Sequence, residues 1–432
     1  MRHIDVHAVA DQARFNRFHG LVLAWCALII VFDGYDLAVV GVALPAIMAQ
    51  MGVAPANAGF MVSSALVGMM VGAIGFGTLA DRIGRRWTIA ICVALFSVFT
   101  AAAGLATDAW TFAALRFVAG LGIGGVMPTV VAHMTEYAPK RLRATLVTLM
   151  FSGYALGGVL AALLGKGLIA SAGWPSVFFA AGLPVLLLPW LLRSMPESMA
   201  FLLARGREEE LKAIVARLDP QQAPAPGDRV QLPTARGAQL APVRGLFEEG
   251  RGFSTVMFWI AFFTCLFMVY ALSAWLAKLM AAAGYSLGSA LNFVLVLNLG
   301  AVIGAVGGGW LADRWSIRWV LAGMFALAAV SITLLGQPLP TWALFITVAV
   351  AGASTIGTQI VANAYAGQFY PTAIRTTGLG WSLGVGRSGA ILAPILIGAL
   401  VGMALPLQQN FIAIAVPAVV GDRKSTRLNS SH

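Results

Sequence analysis

The chain has 432 residues, of which 59% are hydrophobic and only 10% are charged, and its mean hydropathy is +0.85. A soluble domain carries about 25% charged residues, so this composition excludes a soluble globular protein and indicates an integral membrane protein. The formal net charge of +11 does not indicate nucleic-acid binding, because the Lys and Arg residues lie in short loops between apolar segments.

Apolar segments of about 20 residues recur along the chain, and each is long enough to cross a ~30 Å hydrocarbon core as a helix. Residues 1–19 are polar and predict a cytoplasmic tail rather than a signal peptide. We predict an all-α membrane protein with twelve transmembrane helices, six in 20–192 and six in 253–421. The predicted spans are 20–48, 57–79, 87–105, 110–134, 146–168, 174–192, 254–278, 288–311, 319–336, 341–364, 379–402 and 406–421.

Two carboxylates interrupt the first segment, in Phe32-Asp33-Gly34-Tyr35-Asp36. A carboxylate at mid-membrane depth costs several kcal/mol unless it is paired, hydrated or protonated. At positions i and i+3 of a helix, Asp33 and Asp36 lie on one face and look into a shared cavity. Two such groups cannot both stay ionised at low dielectric, so we expect one to carry a proton.

Residues 193–252 separate the two sets of spans and are predicted to be a cytoplasmic linker. Glu197 to Leu218 is expected to form an amphipathic helix on the membrane face, and Pro220 to Pro242 a loose linker. Basic residues gather in the loops on the same side as this linker. The positive-inside rule makes that side cytoplasmic, with both termini inside.

An internal repeat relates the two sets of spans at a constant offset of 232 residues (313 − 81 for Asp81 and Asp313). Two six-helix halves of like orientation follow, and transporters built in this way bind substrate near the midplane between the halves. The carboxylate pair belongs to the first half alone, since the same offset projects it onto Cys265 and Met268.

The twelfth segment ends early, because the chain becomes polar after Gly421. About 16 apolar residues give a helix of roughly 24 Å, shorter than a ~30 Å hydrocarbon core. Residues 422–432 resemble a translated sequencing adapter, so we expect a truncated last helix and a non-native tail. The alternative is a slightly short helix followed by an ordinary polar cytoplasmic tail.

A charged loop follows the second span and matches the pattern G-x-x-x-D-R-x-G-R-R beginning at Gly77. Gly84 permits a tight turn, and the charges can form ion pairs that break when the cytoplasmic side opens; the alternative is that the arginines are only topology anchors. Glu136 is expected to form a gate ion pair rather than carry a proton. The gating candidates are Gly77, Asp81, Arg82, Gly84, Arg85, Arg86, Glu136, Arg141, Arg143, Asp313, Arg314 and Arg375.

Two arginines inside the spans are candidates for holding an anion. Arg116 opens an R-x-x-x-G-x-G-x-G pattern, and a buried guanidinium there needs either Asp33, Asp36 or a bound substrate; the alternative is that it snorkels to the surface. Arg387 is the one charge in the eleventh span and lies near mid-depth, so it can bind a substrate carboxylate or pair with a first-half carboxylate. Tyr35, Tyr270 and Trp381 are aromatic candidates for contact with substrate.

Other chemistries have little support in the sequence. Cys26, Cys92 and Cys265 are far apart in apolar segments, which predicts neither a disulfide framework nor a metal site. The chain has no nucleotide-binding loop of the G-x-x-x-x-G-K-[ST] type. We therefore expect no cofactor, no metal and no enzymatic activity.

Together these motifs resemble the aromatic acid:proton symporters of the major facilitator superfamily. The resemblance rests on Asp33-Gly34-Tyr35-Asp36, the loop signature, Gly124-Gly-Val-Met-Pro128 before Glu136-Tyr137, and Gly386-Arg387, and it covers the chain up to Gly421. It implies transport of benzoate, hydroxybenzoates, protocatechuate, gentisate or muconate-like acids. It also implies that Asp33 and Asp36 couple protons and that Arg387 holds the substrate.

The sequence therefore predicts a monomeric, proton-coupled importer of an aromatic carboxylate in the lipid bilayer of a bacterial inner membrane. It would work by alternating access. The alternatives are a proton-coupled carrier of a sugar, a nicotinate-like acid or a drug, and a non-transporting sensor or inactive fragment with the same fold.

Overall fold

The computed structural model describes residues 3–222, 224, 228–231, 243–248, 250–370 and 375–427. Within these residues, eleven helices are long and apolar enough to cross a membrane. A further helix near the C-terminus stands in the position of the twelfth predicted span. The predicted all-α membrane fold is confirmed.

The first half begins with a short strand and a short helix and continues with six spans of alternating direction. Its first, second, fourth and fifth spans pass the predicted limits at both ends, whereas the third begins at Arg85 and ends at Ala103, two residues before each predicted limit. The elements are β1 (His3–Asp5), α1 (Val6–Gln12), α2 (Arg17–Met51), α3 (Pro55–Ile83), α4 (Arg85–Ala103), α5 (Ala109–Tyr137), α6 (Arg143–Ala172), α7 (Pro175–Ala181) and α8 (Leu188–Ser194).

The sixth span is interrupted in its middle, where a 3-10 turn at Leu183–Leu187 separates α7 from α8. Pro184 and Pro189 lie in and just after this turn. Each proline lacks the backbone N–H that an α-helix needs and disfavours a continuous helix.

The segment after the sixth span packs against the first half. It forms α9 (Met199–Ala204), α10 (Glu208–Leu218) and β2 (Arg229–Gln231). The prediction of a single amphipathic helix here is wrong. Gly206 has a left-handed φ of +67°, which divides the segment into two helices. In α10, Leu211, Ile214 and Val215 are buried in the same apolar cluster as α2. The loose linker predicted over Pro220 to Pro242 lies largely outside the described residues.

The N-terminal segment is joined to this linker. β1 pairs in parallel with β2, with His3 opposite Arg229 and Asp5 opposite Gln231. The Asn16 side chain caps α2 and also donates to the carbonyl oxygens of Arg217 and Leu218, at 3.1 and 2.9 Å. The predicted tail is thus folded onto the end of α10.

The second half repeats the arrangement with six long helices. Its last helix runs six residues past Gly421 (427 − 421), and residues 428–432 lie outside the described residues, so the non-native tail stays a prediction. The helices are α11 (Gly252–Ala282), α12 (Leu287–Arg314), α13 (Ile317–Leu334), α14 (Thr341–Phe369), α15 (Arg375–Gly402) and α16 (Leu407–Arg427).

Since the helices alternate in direction, the bundle has two distinct ends. We call the end that holds the basic loops and the linker the basic end, and the other the opposite end. Tryptophans are exposed near both ends: Trp87 and Trp319 at the basic end, and Trp110 and Trp342 at the opposite end. Their amphipathic rings suit the two membrane interfaces.

Glycines bring the two halves together towards the opposite end. A Cβ atom on Gly41 of α2 would lie 1.9 Å from the carbonyl oxygen of Ser273 in α11. A Cβ atom on Gly59 of α3 would lie 2.4 Å from the carbonyl oxygen of Pro394 in α15. Only glycine permits such close backbone approach. The halves are therefore in direct contact at this end.

We expect Gly41→Ala to destabilise this contact by about 1–3 kcal/mol, because the added methyl group must displace backbone of α11. Thermal unfolding in detergent would show a lower midpoint. Gly20→Ala in the same helix is the matched control, since no atom lies within 4 Å of its Cβ position. Equal midpoints for the two variants would contradict the contact.

Candidate functional site

Asp36 is held in a buried ion pair with Arg116. One terminal nitrogen of Arg116, on α5, donates to both carboxylate oxygens of Asp36 at 2.9 and 3.0 Å, and also to the Thr100 hydroxyl at 2.6 Å. The other donates to the Asp36 carbonyl oxygen at 3.2 Å. Both side chains are only 1% exposed. Arg116 therefore binds Asp36 of α2 in this structure rather than a substrate. Both of its terminal nitrogens already donate hydrogen bonds.

Asp33 lies one turn away and has a different environment. It is completely buried, and neither carboxylate oxygen has a hydrogen-bond partner among the described residues. Close packing explains the burial, because a Cβ atom on Gly34 would lie 2.1 Å from the carbonyl oxygen of Tyr154 in α6. A buried carboxylate without donors is strongly disfavoured when ionised, so this geometry fits the neutral acid.

Arg387 of the second half lies within electrostatic range of Asp33. It is half-buried on α15 and makes no hydrogen bond or ion pair with the part of the chain that the structure describes. Its charge interacts with Asp33. Two glycines bring α15 close to α11: a Cβ atom on Gly386 would lie 2.7 Å from Leu266, and one on Gly389 would lie 2.3 Å from the Phe263 carbonyl oxygen. The site thus offers a cation with unused donors.

Two tyrosines complete this group. Tyr154 on α6 and Tyr270 on α11 lie within electrostatic range of each other, of Asp33 and of Arg387. Tyr154 was not among the residues predicted from the sequence. The internal repeat held a signal for it, because the offset of 232 residues projects Arg387 onto Ala155, beside Tyr154.

The other aromatic candidates have different partners. The Tyr35 hydroxyl donates to the Val177 carbonyl oxygen of α7 at 2.9 Å. Trp381 stacks on Trp259 with a centroid distance of 5.7 Å. Tyr270 is therefore the one aromatic candidate that the structure brings to Asp33 and Arg387.

The signature loop at the basic end is attached to α5 and to the start of the linker. Arg85 pairs with Glu136, which also accepts from the Ser198 hydroxyl at 3.0 Å and the Ala200 amide at 3.0 Å. Gly84 has φ +93°, and a Cβ atom there would lie 2.5 Å from the Glu197 carboxylate. That carboxylate accepts from the Arg86 amide at 3.1 Å.

The remaining gating candidates that the structure describes lie apart from this cluster. Arg143 pairs with Asp11 of α1, which lies beside the loop before α6: the Asp11 carbonyl oxygen accepts from the Lys140 amide at 3.1 Å. The Arg82 carbonyl accepts from Arg205 at 2.7 Å, and Arg314 stacks on Trp310 at 4.2 Å. Arg141 is exposed. Gly77 and the side chains of Asp81, Asp313 and Arg375 lie outside the described part of the chain, so gating stays a prediction.

Comparison with known proteins agrees with this architecture. The sequence profile of the Major Facilitator Superfamily matches residues 26–394. The chain is 45% identical to the benzoate transport protein of Acinetobacter baylyi, over 97% of this chain and 91% of that protein. It is 36% identical to the gallate transporter of Pseudomonas putida, over 96% and 93%.

Solved structures show the same fold at lower sequence identity. The partially occluded, inward-open xylose transporter XylE from E. coli superposes with a TM-score of 0.73 at 16% identity. The match covers 96% of this chain and all of the other. At this identity the likeness supports the fold alone.

We expect Asp36→Asn to lower the free energy of unfolding by about 3–5 kcal/mol, because it leaves Arg116 buried without its counter-charge. Asp33→Asn should change it by less than about 1 kcal/mol, since no partner is lost. Thermal unfolding of the two variants in detergent would measure the difference in stability between them. A variant of Asp33 that unfolds as early as the Asp36 variant would contradict the different roles assigned to the two carboxylates.

Proposed function

The chain belongs to the major facilitator superfamily, and we propose that it is a proton-coupled importer of an aromatic carboxylate such as benzoate or a hydroxybenzoate. The observation that carries the proposal is the pairing of unused groups between the halves. Arg387 forms no hydrogen bond or ion pair with the described residues, and Asp33, within range of its charge, has no hydrogen-bond partner among them either. One group suits an anion and the other a proton.

Arg387 is proposed to bind the substrate carboxylate. A planar guanidinium donates two parallel hydrogen bonds to a carboxylate, which fixes the orientation of the acid as well as its charge. Tyr154 and Tyr270, which lie within range of the charge of Arg387, are proposed to provide polar contacts near the aromatic ring. The names of the two relatives, which transport benzoate and gallate, favour an aromatic acid over a sugar.

Asp33 is proposed to carry the coupled proton, with Asp36 as its fixed neighbour. Asp36 is neutralised by Arg116, so it is the less suitable group to exchange a proton with water. A monoanion moving with one proton transfers no net charge. Each additional proton would add about 2.3 kcal/mol per 100 mV of membrane potential.

The proposed location is a bacterial inner membrane with the basic end in the cytoplasm. The basic loops support this orientation through the positive-inside rule. We further propose that the protein acts as a monomer and has no enzymatic activity. The Arg85–Glu136 cluster would hold the cytoplasmic ends of the first half together while the halves rock, and contacts of the second half would form and break against it.

We expect cells expressing the chain to accumulate labelled benzoate or 4-hydroxybenzoate, and a protonophore to abolish the accumulation. Asp33→Asn should remove the protonophore-sensitive part, because an amide cannot take up and release a proton. Asp33→Glu retains an acid and is the control for folding and expression. Full accumulation by Asp33→Asn would refute the coupling role.

We expect Arg387→Gln to weaken binding of the acid roughly 10- to 100-fold, because hydrogen bonds to a charged group contribute about 1.5–3 kcal/mol. Arg387→Lys keeps the charge without the fork and should lose less. Scintillation proximity binding with labelled benzoate, and competition by gallate and by a sugar, would measure both affinity and substrate class. Unchanged affinity in Arg387→Gln would place the substrate elsewhere.

A further inference from the structure

A surface cavity of about 560 Å³ lies at the basic end, where α2 begins beside the end of α10. The residues that line it are Asn16, Arg17, Phe18, Leu21 and Arg217. Asn16 joins the two helices here, because it caps α2 and donates to the carbonyl oxygens of the last two residues of α10. The cavity is therefore held between two elements whose relative position is fixed by hydrogen bonds.

The charges at this cavity are positive. Arg17 and Arg217 are exposed, and neither forms an ion pair with the part of the chain that the structure describes. The Arg217 guanidinium lies over the Phe18 ring at 4.9 Å, which holds this charge at the cavity. Asp219, the carboxylate nearest to Arg217 in sequence, accepts instead from the Gln221 amide at 3.0 Å. Two uncompensated guanidinium groups attract an anion, and their planar donors match the oxygens of a phosphate.

An apolar track leads from Arg17 into the membrane span. Residues spaced three and four apart lie on one face of an α-helix, and Arg17 is followed on its face by Leu21, Ala24 and Leu28. Ala24 is exposed and both leucines are partly exposed. From the arginine to the last leucine the track is about 16 Å long, at 1.5 Å per residue. A phospholipid has the same order of groups, with its phosphate at the membrane surface and its acyl chains below.

This face of α2 points to the surrounding membrane and not to the proposed substrate site. At 100° per residue, Asp33 lies about 160° around the helix from Arg17. Neighbouring helices contact α2 on either side of the track. The Trp25 indole donates to a serine hydroxyl at the end of α8 at 2.8 Å. A Cβ atom on Gly153 of α6 would lie 2.9 Å from the Ala27 carbonyl oxygen. The track between these two contacts is left to lipid.

We propose that the cavity binds an anionic phospholipid, with its phosphate between Arg17 and Arg217 and one acyl chain along the apolar track. A free phosphate ion shares the chemistry of the headgroup, but it gains nothing from the track. Two uncompensated arginines favour a headgroup of net negative charge, such as phosphatidylglycerol, over a zwitterionic one. The bound lipid bridges α2 and α10 and holds the linker against the first half. Its binding requires neither the acid nor the proton.

Native mass spectrometry of the full chain in detergent, titrated with phosphatidylglycerol or phosphatidylcholine, tests this site. We expect the first phosphatidylglycerol to bind roughly 10- to 30-fold more tightly than the first phosphatidylcholine, because each arginine near a membrane surface contributes a factor of about five. Arg17→Gln/Arg217→Gln should lose this preference. Both side chains are exposed, so we expect the double variant to fold. Each single variant, with a loss of about fivefold, gives a second measurement.

Lys140→Gln/Arg244→Gln is the matched control, since it removes two charges from exposed positions at the same end. It should bind phosphatidylglycerol as the parent does. An equal loss in this control would show a general effect of charge and overturn the site. Parental affinity in Arg17→Gln/Arg217→Gln would overturn it too. Displacement of phosphatidylglycerol by an excess of inorganic phosphate would overturn the lipid and assign the cavity to a free anion.

Discussion

The buried pair between Asp36 and Arg116 is the interaction on which the rest of the site depends. Removal of two charges from water is costly, and it is offset here by two carboxylate hydrogen bonds and by the Thr100 hydroxyl. The pair fixes α2 against α5, while Thr100 adds α4. With Asp36 neutralised, Asp33 is the one carboxylate of the motif that can change its charge without breaking the framework of the first half.

The spacing of the two aspartates predicted a shared cavity, and the structure separates their surroundings instead. Residues three apart on an α-helix differ in direction by about 60°. That angle is enough to point Asp36 at Arg116 of α5, while Asp33 has no such partner among the described residues and its neighbour Gly34 packs against α6. Sequence spacing sets the angle, but it does not say which helices stand at each direction. The division between a fixed and an exchangeable carboxylate therefore required the packing.

The sequence predicted the membrane spans and the two halves, but it did not predict the local contacts of the polar segments. Hydropathy and the repeat predicted the spans and the two halves because a ~30 Å core imposes helix length. Arg387 stood out because a lone charge at mid-depth needs a reason. Tyr154 was not predicted as a site residue, since a tyrosine is tolerated at many depths in the membrane. The pairing of Arg143 with Asp11 depends on folding α1 back onto the bundle, which no local pattern records.

The parallel pairing of β1 with β2 has a consequence for how the chain is assembled. The two strands are separated in sequence by the entire first half, so their hydrogen bonds form only after residue 231 has been synthesised. At that point none of the second half, which begins at Gly252, has been made. The pairing, together with the capping of α2 by Asn16 beside the end of α10, closes the first half on itself. The six helices and their linker can therefore mature as one cooperative unit before the second half enters the membrane.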